Sequence, residues 1–209
     1  MKYRAIAVVV LMCITSIFNF SSAKGKNQVL QFKANGTGDW VFVLKNKTLK
    51  ATDLFQLGDG NLKITDATSG YIRTRKQYKI FTLSVDWRWT TSFGNSGALI
   101  YIQPNDTVWP VCYQVQQKAD AAGDIICMNG LWAKECKDSV KMTVPKFKDS
   151  NEKPTGEWNN MLVKCNGTEI KVFINGELQN KVTGLTVNNG FIGFQAEGKP
   201  MEFRNLAIK

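Results

Sequence analysis

Two glutamines stand at alternate positions in residues 111–117, a run that alternates between apolar and polar side chains. In an extended strand Gln114 and Gln116 therefore share one face. An amide donates and accepts hydrogen bonds at once, so a row of amides is typical of a surface that binds sugar hydroxyls. Asn95, in an Asn-Ser-Gly turn, and Trp109, whose flat ring suits a sugar, are further candidates. The alternatives are a solvated sheet face for the amides and core packing for Trp109.

A second alternating run covers residues 81–89. Its Phe, Leu, Val and Trp side chains fall on one face, which predicts a core strand. Asp86 and Arg88 fall on the polar face, two positions apart. They either bind a ligand or pair with charges on neighbouring strands, and pairing is the favoured interpretation.

Histidine is absent from the whole chain. This removes the commonest general base, the commonest metal ligand and every His-based catalytic triad. The cysteine spacing fits no zinc signature, so we assign no metal and no cofactor. No strand carries carboxylates at alternate positions, which disfavours glycoside hydrolysis by a carboxylate pair unless two acids converge from distant strands.

The first 23 residues resemble a secretory signal peptide, with Lys2 and Arg4 before an apolar core and a Ser-Ser-Ala site at its end. Lipidation of Cys13 is the less favoured alternative. We expect export to the periplasm, the cell surface or the medium, and no stable membrane insertion after signal removal. Residues 24–209 suit one domain.

Four cysteines follow the predicted signal: Cys112, Cys127, Cys136 and Cys165. An oxidising compartment favours pairing, and the short spacing predicts a bond between Cys127 and Cys136. Buried free thiols are the alternative. The formal net charge is +10, but the lysines are scattered and no nucleic-acid-binding motif is present, so we do not expect a nucleic-acid partner.

Short alternating runs separated by Gly and Asn turns predict an all-β protein. The predicted strands cover residues 40–44, 55–57, 62–65, 71–73, 81–89, 98–103, 111–117, 161–165, 170–174, 191–195 and 201–208. Many short strands at this spacing indicate an antiparallel sandwich or a jelly roll, and the pattern does not choose between the two. Residues 131–152 are mixed and Lys-rich, which predicts a surface excursion.

The order of several motifs is similar to that of the 3-keto-disaccharide hydrolase domain family. These motifs are Asn-Ser-Gly at 95–97, Trp-Pro at 109–110, Tyr-Gln-Val-Gln at 113–116, Ala-Gly-Asp at 122–124, Gly-Glu-Trp-Asn at 156–159 and the closing segment from Gln195 to Asn205. The resemblance implies a concanavalin A-like antiparallel jelly roll with a glycoside or oligosaccharide ligand on or beside its concave sheet. Arg204 and Asn205 match the family's ending, where they are expected to hold the sheet together.

The resemblance also implies a particular chemistry. A ketone at C3 of the sugar acidifies the C2 proton, so a base can form an enolate that expels the glycosidic oxygen, and water is then added. Many members carry Glu where this chain has Gln114, and His near Ala196 and Glu197. Because an amide is not a base near neutral pH, the catalytic candidates are Glu197 and Asp124. Their alternative roles are a solvated Glu and a turn-capping Asp.

Three hypotheses follow. The first is an exported hydrolase or lyase that cleaves 3-keto-glycosides. The second is a carbohydrate-binding module that kept the fold and lost the base, and the third is a structural surface domain. Turnover, ligand binding without turnover, and neither property would distinguish them.

Overall fold

The computed structural model describes residues 32–33 and 37–209. After a 3-10 turn at Thr37–Asp39, the described elements are β1 (Trp40–Leu44), α1 (Ala51–Leu54), β2 (Phe55–Gly58), β3 (Asn61–Ile64), β4 (Gly70–Thr74), β5 (Phe81–Trp89), β6 (Gly97–Ile102), β7 (Tyr113–Gln116), β8 (Ile125–Cys127), β9 (Thr143–Val144), β10 (Asn159–Cys165), β11 (Glu169–Ile174), β12 (Glu177–Thr183), β13 (Phe191–Ala196) and β14 (Met201–Ile208).

These strands form two antiparallel sheets, each of seven strands within the described residues. The first sheet has the order β1-β4-β13-β6-β7-β8-β9, and the second has the order β12-β11-β10-β5-β14-β3-β2. Half of the neighbouring strand pairs are not consecutive in the chain, as when β13 inserts between β4 and β6. The predicted all-β jelly-roll sandwich is confirmed.

The core lies between the two sheets and follows the alternation of the strands. In β5 every odd-numbered residue is buried and every even-numbered one is partly exposed, as predicted. Trp87 and Trp89 pack edge to face with ring centroids 6.2 Å apart. Phe194 of β13 meets Phe203 of β14 at 4.8 Å, which joins the two sheets directly.

Tight turns join β2 to β3 and β11 to β12, in agreement with the Gly and Asn turns predicted between strands. Asp59 and Gly60 have φ values of 51° and 78°, and Asn175 and Gly176 have 49° and 82°. Tight two-residue turns need this left-handed backbone, which Gly, Asn and Asp adopt at the least steric cost. The turns therefore fix the registers of β2 with β3 and of β11 with β12.

The outer face of the first sheet is apolar over much of its area. A cluster separate from the central core forms there from Val43, Tyr71, Leu99, Ile102 and Cys112. Tyr101 has a φ of +57°, and the register of β6 against β13 shifts in this region. This irregularity sends Tyr101 into the core and Ile102 to the outer face. Residues 103–111 then leave the sheet as a loop.

Three strands were not predicted: β8, β9 and β12. Two of them are only two and three residues long, and β12 contains the polar, fully buried Gln179 and Asn180. Asn180 Nδ2 donates to the carbonyl oxygens of Gly123 at 3.1 Å and Val144 at 2.9 Å. Tertiary hydrogen bonds therefore stabilise a strand whose alternation is weak.

The predicted bond between Cys127 and Cys136 is wrong, since all four cysteines in the described part of the chain are free and buried. Burial raises the pKa of the Cys127 thiol to about 12, and the neighbouring Cys136 adds to the effect. Disulfide chemistry needs a thiolate, which this environment disfavours. The predicted signal peptide, residues 1–23, lies outside the described residues, and no described helix is long and apolar enough to cross a membrane.

Gly70 provides a test of the close packing between β1 and β4. A Cβ at this position would stand 2.2 Å from the carbonyl oxygen of Val43. We expect Gly70→Ala to lower the free energy of unfolding by about 1–3 kcal/mol, the usual cost of overpacking. Urea denaturation would measure it. Gly58→Ala is the matched control, because a Cβ there meets nothing within 4 Å, and equal stability losses in both variants would contradict the prediction.

Candidate functional site

Three glutamine amides meet on the outer face of the first sheet. Gln114 Nε2 donates to Gln116 Oε1 at 2.9 Å and to Gln195 Oε1 at 3.1 Å. All three side chains are largely buried. Gln116 Nε2 and Gln195 Nε2 donate to no other side chain or carbonyl among the described residues, so they can meet a ligand hydroxyl. We call Gln114, Gln116 and Gln195 the amide trio.

The amide trio depends on a glycine in the strand between its members. Gln114 and Gln116 lie on β7 and Gln195 on β13, while β6 runs between these strands. A Cβ on Gly97 of β6 would stand 2.5 Å from Gln114 Cγ. Because Gly97 has no side chain, Gln114 can lie across β6 and reach Gln195. Gln195 was not predicted as a site residue, although its alternation with the buried Phe194 places it on this face.

Glu197 stands beside the amide trio, two residues beyond Gln195. It forms an isolated β-bridge with Asn95, and Asn95 Nδ2 donates to Glu197 Oε2 at 2.6 Å. Burial raises the pKa of the Glu197 carboxyl above its ordinary range, and the charge of Lys118 partly opposes this. Ser96 Oγ also donates to the Gln195 carbonyl at 2.6 Å. The structure therefore brings three predicted elements together: Asn95, Glu197 and the amides.

Asn95 contributes a second polar atom to this place. Its Oδ1 is buried and has no hydrogen-bond partner among the described residues. An unpaired buried acceptor costs free energy, so a ligand hydroxyl or a water that donates to it would be favoured. Asn95 can thus orient Glu197 through Nδ2 and bind a ligand through Oδ1.

Asp124 lies on the other side of the amides, at the start of β8. Its backbone carbonyl oxygen accepts from the backbone N–H of Gln116 at 2.8 Å, which sets the two residues side by side. Asp124 Oδ1 accepts from the backbone N–H of Lys146 at 2.8 Å. One of its two carboxylate oxygens therefore holds the chain that follows β9, which is a structural role. Asp124 is near the amide trio but is less available than Glu197.

Trp109 lies in the loop between β6 and β7, with 40% of its surface exposed. Its carbonyl oxygen accepts from Thr107 Oγ1 at 2.9 Å and from Asn129 Nδ2 at 2.7 Å. The backbone of the residue is thus fixed while its ring faces outward. This differs from the alternative of core packing and leaves the ring accessible to a ligand.

Asp86 and Arg88 lie elsewhere. Alternation along β5 places both on the outer face of the second sheet, so the whole core separates them from the amide trio. Asp86 accepts from Asn160 Nδ2 at 2.9 Å and from Asn205 Nδ2 at 2.7 Å. Arg88 donates to Glu202 from Nε at 2.9 Å and from Nη2 at 2.7 Å. The structure shows cross-strand partners for both residues and does not place them in a site with Glu197.

A cluster that the sequence did not predict adjoins the amide trio on β4. Asp106 accepts from Tyr71 Oη at 2.9 Å, from Arg73 Nε at 2.7 Å and from Arg73 Nη2 at 2.7 Å. The bonds from Arg73 lower the pKa of Asp106, while burial opposes them. Burial, followed by the bond to Asp106, raises the pKa of Tyr71. In the sequence, Tyr71 and Arg73 stand at alternate positions of a strand, and this spacing could have indicated the cluster.

No cluster of three or more His, Cys, Asp or Glu side chains that could hold a metal ion is found among the described residues. The described site therefore consists of amides and the carboxyls of Glu197 and Asp124, while the exposed Trp109 ring lies in a loop whose backbone bonds to Asn129, after β8. Amides and carboxylates match the hydroxyls of a sugar, and an aromatic ring can match its apolar face.

Known structures share the fold. A protein from Parabacteroides distasonis assigned as a glycosyl hydrolase matches with a TM-score of 0.60 at 23% identity, over 81% of this chain and 98% of that one. A carbohydrate binding module from Bacillus subtilis matches with a TM-score of 0.53 at 13% identity, over 82% and 95%. An alginate lyase from Corynebacterium matches with a TM-score of 0.52 at 11% identity, over 83% and 95%. No curated protein matches the chain.

The sequence comparison is more specific than the structural one. A family model described as the 3-keto-alpha-glucoside-1,2-lyase-like domain matches residues 15–209. This match covers nearly the whole chain and every residue of the candidate site, in agreement with the motif order noted from the sequence. The chain belongs to this family of carbohydrate-active domains.

Proposed function

We propose that the protein cleaves 3-keto-glycosides by elimination and hydration, with Glu197 as the base. The observation that carries the proposal is the position of Glu197, a partly buried carboxyl with a raised pKa beside three sugar-binding amides. A carboxylate in water is a weak base for a carbon acid, and desolvation makes it stronger. The bond from Asn95 Nδ2 holds Oε2 and leaves Oε1 for the substrate.

The proposed reaction has two steps. Glu197 takes the proton from C2 of the ring, the C2–H electron pair passes through the enolate of the C3 ketone, and the C1–O bond breaks as the C1=C2 bond forms. The leaving oxygen takes this proton from Glu197, which restores the carboxylate. Glu197 then takes a proton from water as the water oxygen adds to C1, and it returns that proton to C2. The amide N–H groups and Asn95 would hold the ring hydroxyls during both steps.

A second candidate function is sugar binding without turnover. The specific observation in its favour is the amide at position 114, which cannot act as a base and which the structure shows bonded to two other amides. The amide trio would then be a binding surface, and Glu197 would be one more hydrogen-bonding group. Turnover by the purified protein distinguishes the two functions.

Glu197→Gln tests the assignment of the base. The substitution keeps the shape of the side chain and removes its ability to take a proton, so we expect turnover of a 3-keto-glucoside to fall about a hundredfold or more, with binding largely unchanged. In the unmodified protein, turnover should rise with pH as Glu197 loses its proton, with a midpoint above the ordinary glutamate pKa of about 4.3. Steady-state kinetics over a pH series would measure both effects.

Asp124→Asn is the matched control for this experiment. Its carboxylate lies near the same amides but holds the backbone of Lys146. If turnover survives Glu197→Gln and falls with Asp124→Asn, the base is Asp124. If the protein binds the ketosugar and shows no turnover in any form, the binding function is correct.

Gln114→Ala and Gln116→Ala test the role of the amides. Gln116→Ala removes an amide that can bind the ligand, and Gln114→Ala removes the amide that holds Gln116 and Gln195 in place. Both leave the carboxyl in place, so we expect affinity to fall about three- to tenfold for each, the worth of about one hydrogen bond. Isothermal titration calorimetry would measure it. Gln56→Ala is the control, since Gln56 is exposed on β2 of the second sheet. Equal affinity for all three variants would contradict a role for the amides.

Export remains a proposal that rests on the sequence of residues 1–23. We expect processing after Ala23, because a small-residue site follows the apolar segment there. Intact-mass analysis of protein recovered outside the cytoplasm would show a chain that begins at Lys24. A chain that begins at Met1, or a lipid on Cys13, would contradict it.

A further inference from the structure

The loop between β6 and β7 crosses the outer face of the first sheet. Its ends are joined by a hydrogen bond from the backbone N–H of Gln103 to the backbone carbonyl of Val111 at 2.9 Å. From this loop Asp106 reaches Tyr71 and Arg73 on β4, although β13 lies between β6 and β4. The loop therefore spans two strand spacings, about 10 Å. It borders the amide trio on the side of β4.

The cluster of Tyr71, Arg73 and Asp106 is held rigidly. Tyr71 is fully buried, and the Arg73 guanidinium lies 4.0 Å from the centre of the Phe191 ring. Arg73 Nη1 also donates to the Thr74 carbonyl at 3.0 Å. Such a network costs little further entropy when a ligand binds, because its side chains are already fixed.

Part of this cluster remains available to a ligand. Asp106 accepts three hydrogen bonds, whereas a carboxylate has about four acceptor positions. Its side chain is 32% exposed. Arg73 has five N–H donors, of which three make the bonds described above. A carboxylate acceptor beside a guanidinium donor suits two neighbouring hydroxyls, one of which donates while the other accepts.

The position of the cluster is next to the amide trio. Tyr71 of β4 is the direct register partner of Gln195 of β13. Paired residues in an antiparallel sheet have Cα atoms about 5 Å apart. A ligand that covers Gln195 and extends toward β4 therefore arrives at Asp106.

We propose that Asp106 and Arg73 form a second sugar subsite, which binds the leaving-group sugar of a 3-keto-disaccharide. The proposal rests on the proposed function, because the ring that carries the ketone must place its C2 proton at Glu197, beyond the other end of Gln195. The second ring then extends toward β4. There Asp106 and Arg73 bind its hydroxyls.

The test compares a one-ring ligand with a two-ring ligand. Calorimetry is done on Glu197→Gln protein, in which turnover is slow, with methyl 3-keto-α-glucopyranoside and with a 3-keto-disaccharide. Asp106→Asn and Arg73→Lys are each added to this background. We expect each to weaken binding of the disaccharide about tenfold, as loss of a charged hydrogen bond does, and to change binding of the methyl glycoside less than twofold.

Glu177→Gln is the matched control, since Glu177 is also paired with a basic side chain, Lys148, and is similarly exposed, on β12 of the second sheet. It should change neither affinity. If Asp106 and Arg73 only hold the loop, both substitutions will weaken both ligands equally, and the subsite is then overturned. If the Glu197→Gln parent and the unmodified protein bind neither ligand, the proposed function falls together with the subsite. Binding of both ligands that is insensitive to Asp106 and Arg73 removes the subsite alone.

Discussion

The hydrogen bond from Gln114 to Gln195 joins two strands that are not neighbours in the sheet. A buried amide without a partner costs about 1–3 kcal/mol, so the polar side chains on this largely buried face must pair with one another. They can do so because Gly97 leaves the space above β6 empty for Gln114. The order of strands, the glycine and the amide trio therefore form one arrangement, and the positions of Glu197 and Tyr71 follow from it.

Glu197 and Asp106 both lie near the amide trio, and their surroundings shift their pKa values in opposite directions. Glu197 is partly buried and receives a hydrogen bond from a neutral amide, so desolvation dominates and raises its pKa. Asp106 is bonded to a guanidinium, which lowers its pKa. Groups whose environments separate their pKa values are suited to different tasks. In the two proposals these tasks are proton transfer for Glu197 and acceptance of ligand hydrogen bonds for Asp106.

The outer face of the second sheet shows how a similar set of residues can serve structure instead. Asp86, Arg88 and Glu202 stand on adjacent strands there, and Arg88 and Arg204 lie over the Trp158 ring at 4.5 Å and 4.0 Å. Each of the three charged groups has a cross-strand partner. Cross-strand pairs of this kind stabilise a sheet modestly and set its register. The presence of charge on a polar face therefore does not by itself indicate a ligand site.

The sequence alone determined the features that depend on local patterns. The alternation of β5 and β7 fixed which residues face the core, because side chains on a strand alternate with a period of two. Gly and Asn fixed the hairpin turns through their tolerance of positive φ. The absence of His left carboxyls as the candidates for a catalytic base, and the order of motifs identified the family. Only the tertiary structure decided which strands became neighbours. It placed Gln195 beside Gln114, moved Asp86 and Arg88 to the opposite sheet, left Cys127 and Cys136 unbonded, and brought Asp106 to β4. These contacts join residues far apart in the chain, and their partners are chosen by packing and hydrogen bonding across the sheets, which no local pattern records.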